Sequence, residues 1–260
     1  MGIFETLIST WWGILLIVLV ALIILVGLSA ILYRVMFKRL YDMVLSAIAL
    51  IVLSPLMLVL IIVGAIKMKG NPFFTQLRPG KNGKIFRLIK FRTMTNEKDE
   101  FGALLPDEKR LNRYGKVLRS TSLDELPELL NIFIGNMSIV GPRPQLVRDM
   151  VFMSDDVRVR HSVRGGLTGL AQISGRNSSS WEERFKFDLE YVKNITLFND
   201  VKIIFGTVFK VLKRSDIVTE GTASSVDYGD YLLDKGKITK EEYDKGQQTA
   251  KELIVEYVKK

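Results

Sequence analysis

Two long uncharged runs, separated by a short basic stretch, fill the first quarter of the chain, and a mixed pattern of apolar and charged positions follows. The first run, Leu7 to Leu32, exceeds the roughly twenty residues that a helix needs to cross a bilayer. Nothing basic precedes it, and Arg34, Lys38 and Arg39 come after it, so it is not patterned as a cleavable signal peptide. Retention of positive charge on the inner side predicts an N-terminus outside, Trp11 and Trp12 at the outer interface, and a cytoplasmic remainder.

The second run, Met43 to Ile66, has Lys38 and Arg39 before it and Lys67 and Lys69 after it. A spanning helix would leave one of these clusters on the unfavoured side. Ser54-Pro55 lies in mid-run, where proline removes a helical hydrogen bond and crowds the preceding turn. Two readings follow: a re-entrant helix that breaks near Pro55 and returns to the same face, or a proline-kinked span.

From Gly70 the pattern becomes that of a globular domain. Asn71 to Gly83 is rich in turn formers, and Lys84 to Met94 alternates as a strand with basic residues on one face. Asn96 to Asn112 predicts a charged loop with some helix. Leu126 to Ile134 has helical spacing that ends near Gly135, and Gly141-Pro142-Arg143-Pro144 is a rigid turn carrying an arginine. Between Trp181 and Lys213, the residues Phe185, Leu189, Val192, Phe198, Ile203, Ile204, Phe205, Val208, Phe209 and Leu212 make an apolar face. Such a face suits a membrane interface or the core side of an amphipathic helix, and Lys202, Lys210, Lys213 and Arg214 favour contact with anionic lipid.

Composition narrows the picture. A formal charge of +9 fits a protein lying on anionic headgroups or handling phosphorylated substrates. Nucleic acid is the rival partner, but no zinc-ligand spacing or RNA-binding aromatic signature supports it. The absence of cysteine excludes disulfides and cysteine catalysis. His161, the sole histidine, has no metal-ligand partner beside it in sequence and reads as structural or surface.

The candidate chemistry centres on Arg119-Ser120-Thr121-Ser122-Leu123-Asp124-Glu125-Leu126-Pro127. Two adjacent carboxylates at a helix start sit where unpaired N–H groups favour negative charge. The local alternative is a capping box, with Ser122 as cap and Glu125 reaching back.

The chain from about Val35 to Glu220 resembles the bacterial sugar transferase family, the small monotopic phosphoglycosyl transferases. The resemblance rests on Ser54-Pro55, the Arg78-Pro79-Gly80 turn, Lys90-Phe91-Arg92-Thr93-Met94, Ser122 to Glu125, Gly141 to Pro144 and Gly175-Arg176-Asn177, in family order. Tyr191 to Ile195 and Lys210 to Ser215 are similar to the bacillosamine-phosphate transferase branch. The resemblance implies an enzyme that transfers a sugar-1-phosphate from a UDP-sugar to undecaprenyl phosphate, releasing UMP at the cytoplasmic leaflet of a bacterial inner membrane. It also implies a re-entrant second segment, a covalent aspartyl-phosphosugar intermediate and a need for Mg2+. Asp124 is then the nucleophile, and Glu125 is the second acid, sharing the metal with Asp124. Lys90, Arg92, Arg119, Arg143 and Arg176 become candidates for phosphate contacts, since fixed arginines grip phosphate bidentately. A catalytically silent scaffold and a metal-dependent phosphohydrolase are the alternatives.

The expected fold is α+β and mainly helical, with a little β structure. It divides into an N-terminal transmembrane helix (1–34), a re-entrant helix broken at Ser54-Pro55 (35–69), a compact cytoplasmic catalytic domain with interfacial amphipathic helices (70–220) and a helical extension (221–260). The first span and the extension depart from the small enzymes. In the extension, Thr239 and Glu242 form a capping box, and the segment from Tyr231 to Tyr243 weakly resembles a short C-terminal helical hairpin common in bacterial proteins. It is a candidate for homo-oligomer formation or contact with later glycosyltransferases; a solvated tail is the alternative.

Overall fold

The structure is a computed structural model that describes residues 11–174, 180–213 and 226–259. In chain order, α1 (Trp11–Leu32) runs through a π turn (Tyr33–Phe37) into α2 (Lys38–Lys67). The hairpin β1 (Phe73–Pro79) and β2 (Ile85–Phe91) leads to α3 (Asp107–Arg110) and α4 (Arg113–Ser120). A 3-10 turn (Leu123–Glu125) precedes α5 (Glu128–Ile134), β3 (Ser138–Val140), α6 (Val147–Met150), α7 (Asp155–Arg158), β4 (Gly166–Thr168) and α8 (Leu170–Ser174). Last come α9 (Trp181–Lys193), α10 (Leu197–Lys213), α11 (Tyr228–Asp234) and α12 (Lys240–Lys259). The fold is mainly helical, with β1 and β2 antiparallel and β3 and β4 parallel.

Both α1 and the π turn with α2 are long and apolar enough to cross a membrane. Their environments differ. Helix α1 is exposed almost all round, whereas α2 packs one stripe on the body along its length. Ala49, Leu50 and Leu53 join the core of Phe86, Leu88, Leu129, Ile132 and Met137. Further along, Met57, Leu60 and Ile61 meet Phe91 and Leu118. Each large apolar side chain buried in this way stabilises by about 1.5–3 kcal/mol, more than an exposed ion pair.

Polar bonds fasten both ends of α2 to the same body. Arg39 donates to the carbonyls of Ile132 and Phe133, and Asp42 accepts from Ser138 Oγ (2.6 Å) and Ile139 N (2.9 Å). At the far end, Leu60 O accepts from Tyr114 Oη (2.9 Å) and Lys67 O from Asn112 Nδ2 (3.2 Å). The opposite stripe, including Ile51, Val52, Leu58 and Ile62, stays exposed.

Ser54-Pro55 does not interrupt the helix, contrary to the expected break. Proline leaves the carbonyl four residues back without its donor, and that carbonyl belongs to Ile51. Ser54 Oγ donates to it at 2.7 Å, so the hydroxyl replaces the missing N–H and the helix continues.

Three other expectations change. Arg78 and Pro79 lie in β1 rather than in a turn, because β1 pairs with β2 along its whole length, and proline is tolerated at a strand end. The reversal falls on Lys81–Gly83, where Asn82 (φ 56) and Gly83 (φ 72) are left-handed. The basic residues of β2 do not share a face: Lys90 lies on the Phe86–Leu88 side and Arg87 on the other, as period-2 alternation requires. The apolar face of Trp181 to Lys213 is also divided. Phe185, Val192 and Ile203 are buried, Leu189 and Ile204 are half-buried, and Phe198, Phe205, Val208 and Phe209 are exposed. The Leu212 side chain and Arg214 lie outside the described residues.

Candidate active site

The site gathers where β2, the 3-10 turn, α5 and the Gly141–Pro144 loop meet. Asn131, fully buried on α5, uses its amide as a strand edge would. Its Oδ1 accepts from Ile89 N (3.0 Å), and its Nδ2 donates to Arg87 O (2.8 Å). This clamps β2 beside α5 and sets Lys90 against Glu128, one turn before Asn131. Lys90 Nζ is 2.8 Å from Glu125 Oε1 and 3.0 Å from Glu128 Oε1. Arg143 Nη2 reaches the same Glu125 oxygen at 2.6 Å.

Ser122 is left-handed (φ 54) and makes no side-chain cap bond, so the capping-box alternative fails. A non-glycine residue in that conformation costs about 1–3 kcal/mol, and such strain concentrates at functional sites. It tips Leu123–Glu125 into a tight 3-10 turn ahead of Pro127, the residue before α5. Neighbouring residues therefore turn two ways, with Glu125 on Lys90 and Arg143 while Asp124 receives no hydrogen bond from any described residue.

The electrostatics follow the geometry. Burial and the adjacent Glu125 charge push the Asp124 carboxyl up to about 6, against the pull of Lys90, Arg143 and Arg119. Burial would raise Glu125 too, but Arg143 and Lys90 overcome it and hold its carboxyl well below the usual range. Burial raises Glu128 as well, and its Oε1 has no hydrogen bond despite its closeness to Lys90. Two adjacent acids thus differ in character: one stays ionised, and the other titrates near neutrality.

The loop bearing Arg143 is held from outside. Gly141 N donates to Thr168 O (2.9 Å), and a Cβ at Gly141 would strike the Arg164 carbonyl at 2.5 Å. Three successive carbonyls of the loop accept bonds: Pro142 from Gly166 N (3.0 Å), Arg143 from Arg160 (2.7 Å) and Pro144 from Arg78 (3.3 Å). Arg160 is itself buried and doubly bonded to Asp188 Oδ2 (3.0 and 2.7 Å). Arg143 therefore projects from a backbone with little freedom to move.

Of the sequence candidates, Lys90, Asp124, Glu125 and Arg143 converge. Arg119 stands at the end of α4, donates to Thr93 Oγ1 (3.0 Å) and acts on Asp124 through its charge. Arg92 follows β2, its N–H donating to Pro72 O (2.7 Å), and no ion pair joins it to a carboxylate among the described residues. Arg176 lies outside the described residues. Sequence reasoning missed Glu128, Arg160 and Asp188, and singled out Arg78 only as part of a turn motif. Glu128 stands three residues after Glu125 and was open to helical spacing. Arg160 and Asp188 carry no local signal, because they pair across 28 residues of sequence. His161 is buried and structural, with burial and the charges of Arg160 and Arg158 lowering it to about 4. No group of three or more metal-ligating side chains occurs among the described residues.

Comparison with known proteins identifies the family. A profile described as bacterial sugar transferase matches residues 32–214. The chain is 47% identical over 180 residues to an uncharacterized sugar transferase, EpsL, of Bacillus subtilis, covering 69% of this chain and 89% of the relative. It is 41% identical over 191 residues to the exopolysaccharide production protein ExoY of Rhizobium meliloti, covering 66% and 84%. It is 40% identical over 187 residues to a UDP-glucose:undecaprenyl-phosphate glucose-1-phosphate transferase of Klebsiella pneumoniae, covering 68% of this chain but only 40% of that larger protein. These relatives lend no support to the narrower bacillosamine resemblance.

Proposed function

Because the chain belongs to the bacterial sugar transferase family, we propose that it is a phosphoglycosyl transferase moving a sugar-1-phosphate from a UDP-sugar to undecaprenyl phosphate. The observation that carries this reading is the asymmetry of the acid pair: an Asp124 that no described residue hydrogen-bonds, beside a cation-held Glu125. A carboxylate nucleophile splits a difficult transfer between two phosphates into two displacements. In the first, an Asp124 oxygen bonds to the β-phosphorus while the bond from that phosphorus to the bridging oxygen breaks, and UMP leaves with that oxygen. In the second, a phosphate oxygen of undecaprenyl phosphate attacks the same phosphorus, the aspartyl bond breaks, and Asp124 is restored.

Phosphoryl transfer depends mainly on positioning and charge stabilisation. Arg143 and Lys90, fixed at Glu125, face the diphosphate, and Arg119 adds positive charge from α4. The donor set suits magnesium bound together with substrate, since that ion takes one or two carboxylates and completes its shell with phosphate and water. Asp124 and the unengaged Oε2 of Glu125 would hold it, and the ion would offset the diphosphate charge.

The membrane reading follows the bonding of α2. A 30-residue helix is about 45 Å long along its path, and both ends of α2 are tied to one charged body. A helix held in this way cannot deliver its ends to opposite faces of a bilayer. We infer that α2 lies in one leaflet with both ends on the same face, without the break expected at Pro55, and that α1 spans, with the N-terminus outside and the catalytic body on the cytoplasmic face.

The full chain, incubated with UDP-glucose or UDP-galactose and Mg2+, should release at most one equivalent of UMP per enzyme without lipid, and should turn over repeatedly only when undecaprenyl phosphate is added. Donor labelled at the β-phosphorus should leave label on Asp124. UMP release by Asp124→Asn at the unaltered rate would sink the reading. For topology, single cysteines introduced into this cysteine-free chain before Lys38 and after Lys67 should label from the same side; labelling from opposite sides would overturn the one-leaflet placement.

A further inference from the structure

The extension beyond residue 220 lies outside the family match, yet it is not a free tail. Helices α11 and α12 form a hairpin whose turn carries the expected capping box, with Thr239 N donating to Glu242 Oε2 (2.7 Å) and Glu242 N to Thr239 Oγ1 (3.2 Å). The hairpin docks on the segment that follows Arg143. Asp149, 1% exposed, accepts from Leu146 N (3.0 Å) with one oxygen and from Tyr228 N (2.9 Å) with the other. One carboxylate thus ties the exit of the Arg143 loop to the first residue of α11. Arg148 next to it pairs with Asp227.

A second route reaches the same loop. Tyr228 stands edge-on to Phe185 (centroids 5.0 Å, 87°), and the Arg160 guanidinium lies over Phe185 at 5.6 Å. Arg160 in turn holds the Arg143 carbonyl. The body's side of the joint is Phe152, stacked on Tyr243 at 5.8 Å and enclosed by two glycines. A Cβ on Gly229 would meet the ring at 2.6 Å, and one on Gly246 would come closer still. Leu232 and Ala250 are buried in the joint.

Two sets of hairpin contacts lead to the Arg143 loop. Both start at Tyr228, one through its N–H and one through its ring, and both run to the backbone around Arg143, a residue that holds Glu125. We propose that the C-terminal hairpin is an intramolecular clamp that positions Arg143 for phosphate, with Asp149, Tyr228 and Phe152 as positioning residues. The catalytic part of this inference rests on the transferase reading; its structural part does not.

The test uses the full chain carrying Gly246→Val, with Phe152→Ala as a second, milder way to release the hairpin. Hydrogen exchange at Tyr228 reports release, and exchange at Leu146 and Gly166 reports loop order. Release should speed exchange at all three positions and lower kcat/KM about tenfold. In double-mutant cycles, the loss should largely disappear when Arg143→Lys is already present, yet add fully to Arg119→Lys, whose side chain is on another element. The clamp is overturned if a released hairpin leaves Leu146 and Gly166 protected, if the losses add equally with both arginine variants, or if neither substitution releases it. An unaltered chain that releases no UMP would instead sink the transferase reading, and the exchange arms would still decide the clamp.

Discussion

Asp124 and Asp200 are both acids on helical segments near cations, and they stand at opposite extremes of satisfaction. Asp200 is 3% exposed and saturated: Oδ2 accepts from Tyr33 (2.6 Å) and Lys38 (2.5 Å), and Oδ1 from Tyr191 (2.8 Å). Asp124 has cations within electrostatic reach but no hydrogen bond from a described residue. A satisfied buried charge joins elements, here the π turn, α9 and α10. An unsatisfied one retains lone pairs and a raised pKa for chemistry. The partners, more than the residue type, decide which role an aspartate takes.

Four experiments can break or sharpen that contrast. The largest effect is expected at the unsatisfied acid: Asp124→Asn should lower UMP release by at least ~10³-fold, about 4 kcal/mol of barrier. The same change should stabilise the fold at pH 7. Its folded pKa of about 6 lies above the ordinary 3.8, so the ionised form carries a cost that grows as pH rises through that window. Removing the charge should return on the order of 1–3 kcal/mol in a denaturant melt at pH 7, and nothing below pH 4.

The saturated acid should behave inversely. Asp200→Asn leaves Lys38 partly unpaired and should cost about 3–5 kcal/mol of stability, while the turnover of the remaining folded protein changes little. A loss of turnover without a loss of stability would erase the distinction between the two acids. Next comes Arg143→Lys, which keeps the charge but loses the fork, with an expected fall of about 10–100-fold in kcat/KM. The smallest change is in pH dependence: kcat/KM should fall below about pH 6 as Asp124 is protonated, while Glu125 remains ionised and silent. An acid limb near pH 4 would mean that Asp124 is not raised.

Local patterning foretold α1, the helical run ending at Gly135 and the Thr239–Glu242 cap, while the family resemblance singled out Lys90, Asp124, Glu125 and Arg143. Patterning failed where long-range pairing overrode local preference. Phe73 to Pro79, inside the turn-rich stretch, were drawn into β1 by partners in β2, and Ser122 took a strained conformation in place of a cap. The parallel pair β3 and β4 is three residues per strand, too short to leave a period in the sequence. The acid pair was legible as a pair. Its asymmetry was not, because it depends on Lys90, 35 residues upstream of Glu125, and Arg143, 18 residues downstream.

The π turn between α1 and α2 has a mechanical consequence. The two helices meet without a loop, and the joint is bolted through Tyr33 and Lys38 to Asp200 on α10. A flexible tether would let the body swivel against the first helix. This joint acts as a keel: torque on the first helix passes into the body.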